Sequence, residues 1–583
     1  MDYHLFYPPQ RVIMALGLLC IMGQSDASTF PLKADALLAA QQRPFFPQPN
    51  DHSQQLHQQA QQRALQQRLA PEPPTVHVEV PTAPALQQGF PQETPCFPIE
   101  HVTLAALQAL PSWLGLQRVA NTAIGKCLGA QGINLLMRRL QNRLMDQGYV
   151  TTRVLAPAQD LTQRHLHLTI VPGKLSRLTT AAAQSHQDIS LSSAFPMQAG
   201  GLLDLRALEQ GLENLQRLPT VQSSMEIVPT DRPGESDIVV NWQQSRKWRL
   251  GLSLDDSGTR STGRYQGGTT LYLDNPLSFS DSLYLYAGRS LLPGGGKGTH
   301  NVTGQYSLPY GYWLASLTAS YSDYSQTIAG ANADYRYRGQ SQQLAFQLGR
   351  VIHRGSHHKT RLTGEVALRE SKNFIDDTAI DAQHRKTTSW KATLQHQQFI
   401  DRAILNLGVS YQQGTRWFGA LPASEEAFGE ATALSRIVQL TAEFTLPFTI
   451  ATQQFRYQLL YQQQLTSTKL TPSEQFSIGS RWTVRGFDGE RSLSADRGIL
   501  IRNEWSWALP ISAQQLYLGV DYGTLKGNST HQQLGRSLIG NILGVRGQVL
   551  STGYDTFIGI PVAAPQGFMK DRFTLGFTVN WQY

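Results

Sequence analysis

The chain has 583 residues, 40% of them apolar and 16% charged, with 49 Gly and 21 Tyr; both fractions lie below the globular averages of about 45–50% and 25%. Such a composition is poor material for a helical bundle. A mean hydropathy of -0.30, without an uncharged apolar run of about 18 residues beyond the N-terminus, excludes a polytopic helical membrane protein. The net charge of +8 is scattered rather than clustered, which argues against nucleic acid, whereas a β-barrel stays allowed because its strands alternate outward and inward residues.

Residues 1–27 read as an export signal. Arg11 precedes an apolar stretch over 12–22 that is too short to span a bilayer, and Ser25 and Ala27 supply the small residues of a cleavage site. Cys20 lies inside that stretch and would leave with it. The remaining Cys96 and Cys127 most simply form one disulfide in an oxidising compartment, with two buried free thiols as the alternative. Within 28–70, the segment 52–70 is rich in Gln, Ala, Leu and Arg and predicts a helix. Its apolar line of Leu56, Ala60 and Ala64, flanked by Leu65 and Leu69, is thin, so the helix belongs in a wet place. Seven prolines, from Pro71 to Pro95, make 71–95 a semi-rigid extended linker.

From 96 to 245 the pattern is mixed, and it reads as two tandem β-α-α-β-β units over 96–172 and 173–245. The first has a strand over 97–104 and a helix over 132–148, where Ile133, Leu136, Met137, Leu140 and Leu144 keep helical spacing. Strands over 149–155 and 166–171 follow. The second repeats the order with a helix over 202–218 and strands over 220–229 and 237–241.

After residue 245 the chain becomes a series of alternating segments punctuated by Gly, Asn, Ser and Pro. Trp313, Ala315, Leu317, Ala319 and Tyr321 share one face, as do Leu344, Phe346 and Leu348; the chain ends with Phe573, Leu575, Phe577, Val579, Trp581 and Tyr583 on one side. A terminal strand with a wholly apolar, aromatic face has little reason to exist in water, and in an outer membrane that face meets lipid. The 338 residues of 246–583 are too many for one sandwich domain. Sixteen strands would take about 21 residues each, connections included, of which a spanning strand needs about 9–11.

Export signal, polar helix, Pro-rich linker, two α+β modules and C-terminal barrel together resemble the outer-membrane transporters of two-partner secretion (TpsB), the hemolysin secretion/activation family of ShlB/FhaC/HecB type. The local matches are PCFPI at 95–99, GYVTTR at 148–153, SLDDSG at 253–258 and VRGF at 484–487. The resemblance implies a mainly β fold: a 16-stranded transmembrane barrel preceded by two POTRA domains and an N-terminal plug helix. It also implies that Val484, Arg485, Gly486 and Phe487 lie at the tip of a loop folded into the barrel, where Arg485 meets a wall carboxylate. Residues 516–523 resemble the family's F-x-D-x-G, with Asp521 as the partner; the first position departs from Phe, being Leu518 or Gly519 according to the alignment. Alternation over 516–523 points Asp521 inward, as it does Arg502, Glu504 and Ser506 on the preceding strand. Phe487 is expected to pack on the inner wall beside Tyr517.

No catalytic motif is present: there is no HExxH, no GxSxG elbow and no Cys pair with metal-ligand spacing. Gly294, Gly295, Gly296, Lys297 and Gly298 lack phosphate-loop spacing and suit a hairpin connection, while His353, His357 and His358 fall in another turn and read as solvated histidines. The expectation is therefore a monomeric pore in outer-membrane lipid, without enzyme activity, metal or other cofactor. It would take a large secreted exoprotein from the periplasm and pass it outward unfolded without nucleotide. The alternative from the same superfamily is an outer-membrane assembly factor, which typically carries more POTRA units and lacks the Gln-rich helix and Pro-rich linker.

Overall fold

The computed structural model describes residues 51–69, 76 and 89–583, apart from 182–188, 293, 295, 330–331, 512 and 528–533. The export signal and most of the Pro-rich linker lie outside the described residues. The first element is α1 (Asp51–Leu69).

In the first module, α2 (Ala130–Asp146) lays Leu136, Leu140 and Leu144 on a three-stranded sheet. Strand His165–Val171 is central there, parallel to His101–Ala105 and antiparallel to Arg153–Leu155. Its alternating Leu166, Leu168 and Ile170 are buried under the helix. The α2 N-terminus is capped from outside the helix, because the Glu93 carboxylate accepts from the backbone N–H groups of Gly129, Gln131 and Gly132 at 3.1, 2.7 and 2.6 Å. Cys96 and Cys127 are disulfide-bonded, beside the short ladder that pairs Phe97–Pro98 with Cys127–Leu128.

Two expected strands differ. The strand over 97–104 is split, since Phe97–Pro98 pairs with Cys127–Leu128 while His101–Ala105 joins the main sheet. The strand over 149–155 begins only at Arg153. Gly148 sits at φ 98° and turns the chain out of α2, so that the Tyr149 N–H returns to the Leu144 carbonyl at 2.9 Å. The apolar and β-branched residues there serve burial: Tyr149 enters the core and Thr152 accepts from the Gly173 N–H at 3.0 Å.

The second module repeats the topology, with Glu235–Gln244 between parallel Lys174–Thr180 and antiparallel Val221–Pro229. Sequence patterning misses Lys174–Thr180 because its apolar residues, Leu175 and Leu178, are three apart across a register shift. Its helix α3 (Leu205–Gln216), N-capped by Asp204, buries Leu208 and Leu215 in the module core. The opposite face, with Glu209, Gln210, Glu213 and Asn214, is buried as well.

What covers that polar face is the barrel. Its wall strands are β1 (Trp248–Asp255), β2 (Gln266–Asp274), β3 (Ser282–Ser290), β4 (Gly298–Tyr310), β5 (Trp313–Ala329), β6 (Asp334–Arg354), β7 (His358–Ile375) and β8 (Arg385–Ile400). They continue with β9 (Ala403–Thr415), β10 (Arg436–Ile450), β11 (Gln453–Thr466), β12 (Arg497–Ala508), β13 (Gln514–Lys526), β14 (Ser537–Val549), β15 (Thr552–Ala563) and β16 (Thr574–Gln582). Each pairs antiparallel with the next, and β16 closes on β1 through Thr578↔Asp255 to Gln582↔Gly251. Trp313, Leu317 and Tyr321, like Leu344, Phe346 and Leu348, project outward and are exposed. Short turns such as Ile400–Ala403 and Tyr310–Trp313 lie at the end that carries the second module, and the long connections lie at the other. This is the asymmetry of an outer-membrane barrel with its modules in the periplasm.

Arg354 at the end of β6 donates to Glu213 at 2.7 Å, to Gln210 at 3.0 Å and to the Val76 carbonyl at 2.5 Å, while Lys359 on β7 donates to Glu213 at 2.9 Å. Asn214 donates to the Gly311 carbonyl in the β4–β5 turn at 2.7 Å, and Thr220 to Asp274 at 2.9 Å. The buried polar side of α3 is thereby hydrogen-bonded to the wall, which is the condition for burying such groups without a large penalty.

Candidate functional site

The lumen is filled from two directions. Between β11 and β12 the connection 467–496 turns inward, pairs Phe476–Ile478 with Leu493–Ala495 and carries Val484, Arg485, Gly486 and Phe487 at its tip. The Arg485 guanidinium forks onto Asp521 of β13, with Nε donating to Oδ2 at 2.7 Å and Nη2 to Oδ1 at 2.9 Å; the Arg485 backbone N–H adds a third bond to Oδ2 at 2.9 Å. Nη1 donates to Glu504 of β12 at 2.5 Å. Arg546 of β14 is ion-paired with the other Glu504 oxygen at 2.8 Å and lies over the Tyr517 ring at 4.8 Å. Both members of the Arg485–Asp521 pair are buried, with side-chain exposures of 7% and 0%.

The tip reaches this position because the wall beneath it lacks side chains. Gly540 faces Asp521 across the β13–β14 ladder, and a Cβ there would lie 1.8 Å from the Arg485 carbonyl oxygen. On β13, a Cβ at Gly519 would stand 2.7 Å from the Arg485 guanidinium, and one at Gly523 would stand 2.7 Å from Val484. The departure from Phe thus has a local meaning if Gly519 is the aligned position, since no side chain fits there. Gly486 takes φ 105°, a backbone state that disfavours any other residue, against the β15 backbone at Ile560. The rest of the tip is apolar: Val484, Phe487, Ile478 and Leu493 pack with wall residues Leu500, Leu525 and Leu538. Phe487 meets Phe568 edge-on with ring centroids 5.9 Å apart, rather than Tyr517, whose face is taken by Arg546.

From the periplasmic side α1 occupies the remaining space on small, mostly neutral contacts. His57 Nε2 bonds the Ser257 carbonyl at 2.8 Å, Gln61 donates to the Ser257 hydroxyl at 2.9 Å and Gln54 donates to Ser261 at 2.6 Å. Turned so that its oxygen faces Arg369, the Gln59 amide accepts from that guanidinium at 3.0 Å and donates to the Ser473 carbonyl at 2.8 Å. Leu56, Leu65 and Leu69 are its buried leucines, the last two against Tyr284 and Tyr286 of β3. The thin apolar line seen in the sequence matches this environment of hydroxyls and amides.

Sequence reasoning placed Val484 to Phe487 and Asp521, and the structure brings them together. It missed Glu504 as a second carboxylate on Arg485, and Arg546 behind it; their inward parity was the available signal. It also missed Gly519, Gly523 and Gly540, whose meaning depends on a loop that is dozens of positions away in the sequence and meets them only in three dimensions. Cys96 and Cys127 lie in the first module, apart from this site. His353, His357 and His358 lie at the β6–β7 turn; His353 and His358 approach with ring centroids 4.7 Å apart, and His358 stands 5.8 Å from His396. Among the described residues no group of His, Cys, Asp or Glu is arranged to hold a metal ion.

Residues 234–547 match the family model of the haemolysin secretion/activation protein ShlB/FhaC/HecB, residues 97–173 a ShlB-type POTRA domain and residues 174–229 a POTRA domain. The chain is 34% identical to the outer membrane transporter CdiB-2 of Burkholderia pseudomallei, over 95% of this chain and 99% of that protein. It is 27% identical to the hemolysin transporter protein ShlB of Serratia marcescens, over 88% and 89%. The structure of CdiB from Escherichia coli superposes with a TM-score of 0.82 at 27% identity, covering 92% of this chain and 99% of that one. Two POTRA modules, a closed sixteen-stranded barrel and similarity along nearly the whole length lead to one assignment: the chain belongs to the ShlB/FhaC/HecB haemolysin secretion/activation family of outer-membrane transporters.

Proposed function

We propose that this chain is the outer-membrane pore of a two-partner secretion system. It takes one large secreted exoprotein, of hemolysin, adhesin or contact-dependent toxin type, from the periplasm through its POTRA modules and passes it outward unfolded through the barrel. The observation that carries this reading is a polar lumen filled by two removable segments, α1 and the inward loop, on a barrel whose periplasmic rim is bolted to a POTRA module. A passive porin has no use for the modules, and the full-length relatives are transporters, which sets aside the assembly-factor alternative. Free POTRA strand edges supply main-chain pairing for an extended substrate. Substrate folding outside the cell supplies the free energy, since no nucleotide site is read from the chain. The outward apolar and aromatic face meets lipid, and one chain closes one pore.

In this reading α1 limits resting permeability, and the Arg485–Asp521 pair holds the loop. Deleting residues 51–69 raises single-channel conductance in planar bilayers while the barrel still assembles. Supplying the wild-type chain to a deletion strain restores surface delivery of the exoprotein. Unchanged conductance refutes the plug, and unaltered delivery in the deletion strain refutes the transporter assignment.

A further inference from the structure

The segment that leaves β1 contacts everything that fills the lumen. Asp255, Asp256 and Ser257 follow one another, and their contacts divide between two bodies. Asp255 stands 3.9 Å from Arg68 of α1. The Ser257 carbonyl and hydroxyl take His57 and Gln61 of α1, at 2.8 and 2.9 Å. Between them, Asp256 bonds to other elements. Its Oδ1 accepts from Arg481 of the inward loop at 2.9 Å and from the Phe577 backbone N–H of β16 at 2.9 Å, while Oδ2 accepts from Arg264 at 3.1 Å. Arg264 Nη2 also donates to the Leu575 carbonyl at 3.1 Å. Above Asp255 the β1–β16 ladder thins to one long backbone bond, from the Asp256 N–H to the Phe577 carbonyl at 3.4 Å, so the Asp256 and Arg264 side chains reinforce the barrel seam where backbone pairing runs out.

We infer that residues 255–257 form a joint that couples release of the plug helix to release of the inward loop, with Asp256 as the positioning residue. This rests on the reading of α1 as a plug. The Ser257 carbonyl that holds His57 is one peptide away from a carboxylate pinned by the loop and by the last strand. Freeing Arg481 unpins that carboxylate on the loop side, the peptide gains freedom, and the acceptor for His57 loses its fixed place. Conversely, withdrawal of α1 removes three contacts from the joint and leaves the Arg481 anchor on a looser segment. The loop is therefore tied to the wall at Asp521 on β13 and at Asp256 at the end of β1; it also meets α1 directly, through Trp482 on His57 with ring centroids 5.0 Å apart and through the Ser473 carbonyl, and of the two carboxylate anchors Asp256 is the one adjoining the plug's contacts.

The test uses the full-length chain in planar bilayers, with Asp256→Asn made in the intact protein and in the 51–69 deletion. The expected result is a rise of about tenfold in the ratio of open to closed dwell time of the intact chain, the weight of one charge-assisted hydrogen bond. Most of that rise should vanish in the deletion, where no plug is left to release. A rise of equal size in both backgrounds shows Asp256 acting on the loop alone and overturns the joint, as does an unchanged ratio in the intact chain. A deletion that by itself leaves conductance unchanged is a different failure: it removes the plug reading and the joint with it. If Asp256→Asn does not reach the membrane as a heat-modifiable barrel, Arg481→Gln carries the same test, because it leaves Arg264 and the Phe577 N–H on Asp256.

Discussion

Breaking the Arg485–Asp521 pair should uncouple secretion from barrel assembly. The magnitude follows from burial. An exposed pair contributes about 0–1 kcal/mol, but side-chain exposures of 7% and 0% place this one in the buried class, where removing one partner costs about 3–5 kcal/mol because the other charge is left poorly solvated. The two single substitutions are not equivalent. In Asp521→Ala, Arg485 keeps Glu504 at 2.5 Å, so the loss falls near the lower bound. In Arg485→Ala, Asp521 is left with Arg502 at 3.9 Å and the remaining backbone N–H of residue 485, which pushes the loss toward the upper one. Even about 3 kcal/mol shifts the population of the seated loop by roughly a hundredfold. The assay compares exoprotein in the medium with heat-modifiable barrel in the membrane for each variant. Both variants should cut secretion at near-normal barrel amounts, Arg485→Ala more strongly, and loop residues 476–495 should become protease-sensitive from outside. Wild-type secretion in both variants refutes the lock whatever the distance between the side chains. Loss of the barrel itself in both would confine the pair to assembly.

The glycine floor makes a sharper steric prediction: Gly540→Ala, whose Cβ meets the Arg485 carbonyl at 1.8 Å, should reproduce the secretion defect, whereas Gly553→Ala, with its nearest atoms at 3.9 Å, should not. Cys96 and Cys127 close a loop of 31 positions, so replacing both with Ser should destabilise the first POTRA module by about 3–4 kcal/mol in the chain-entropy model; mass spectrometry of the unreduced protein that finds two alkylatable thiols refutes the pairing. Burial alone would raise the Glu213 pKa, but Lys359 and Arg354 outweigh it and hold the carboxyl below its ordinary value of 4.5. Its contribution to the POTRA–barrel contact is therefore complete at pH 7 and is lost only as pH falls below that value. Limited proteolysis at the junction should show loosening in that acid range and not between pH 7 and 5, and Glu213→Gln should abolish the transition.

The barrel was legible because its signal is repeated: alternation recurs in strand after strand, and the apolar parity of Phe573 to Tyr583 survives in the structure as β16. The lock was legible through a short motif and through parity, which sent Asp521, Glu504 and Arg502 to one side. The POTRA details were less so. Tyr149, Val150 and Thr152 carry strand-forming side chains yet occupy a turn, since burial of Tyr149 and Thr152 outweighs local preference. The polar face of α3 reads as a solvated surface, and nothing in its own residues announces the barrel rim that covers it. Likewise Asp256 looks like one more carboxylate in SLDDSG. Its importance comes from Arg481 and Phe577, which lie 225 and 321 positions away.

The two segments in the lumen are held by different kinds of force, and this sets an order of events. The plug rests mostly on neutral amide, hydroxyl and imidazole contacts, each contributing about 0.5–1.5 kcal/mol net, with Arg68 at 3.9 Å from Asp255 and Gln59 on the Arg369 guanidinium as its charged contacts, and with leucines on a tyrosine surface. The loop rests on a desolvated ion network and an apolar cluster that includes Val484, Phe487 and Ile478. Water entering the lumen can replace the first set bond for bond, but it cannot replace the second without exposing apolar surface and a buried charge. Thermal motion should therefore release α1 well before it releases the loop. Full opening then requires something more than fluctuation, namely a polypeptide that competes for the wall and gains from each residue it brings inside. In such a scheme the plug sets the resting leak and the loop sets the requirement for substrate, with residues 255–257 lowering the second barrier once the first has been crossed.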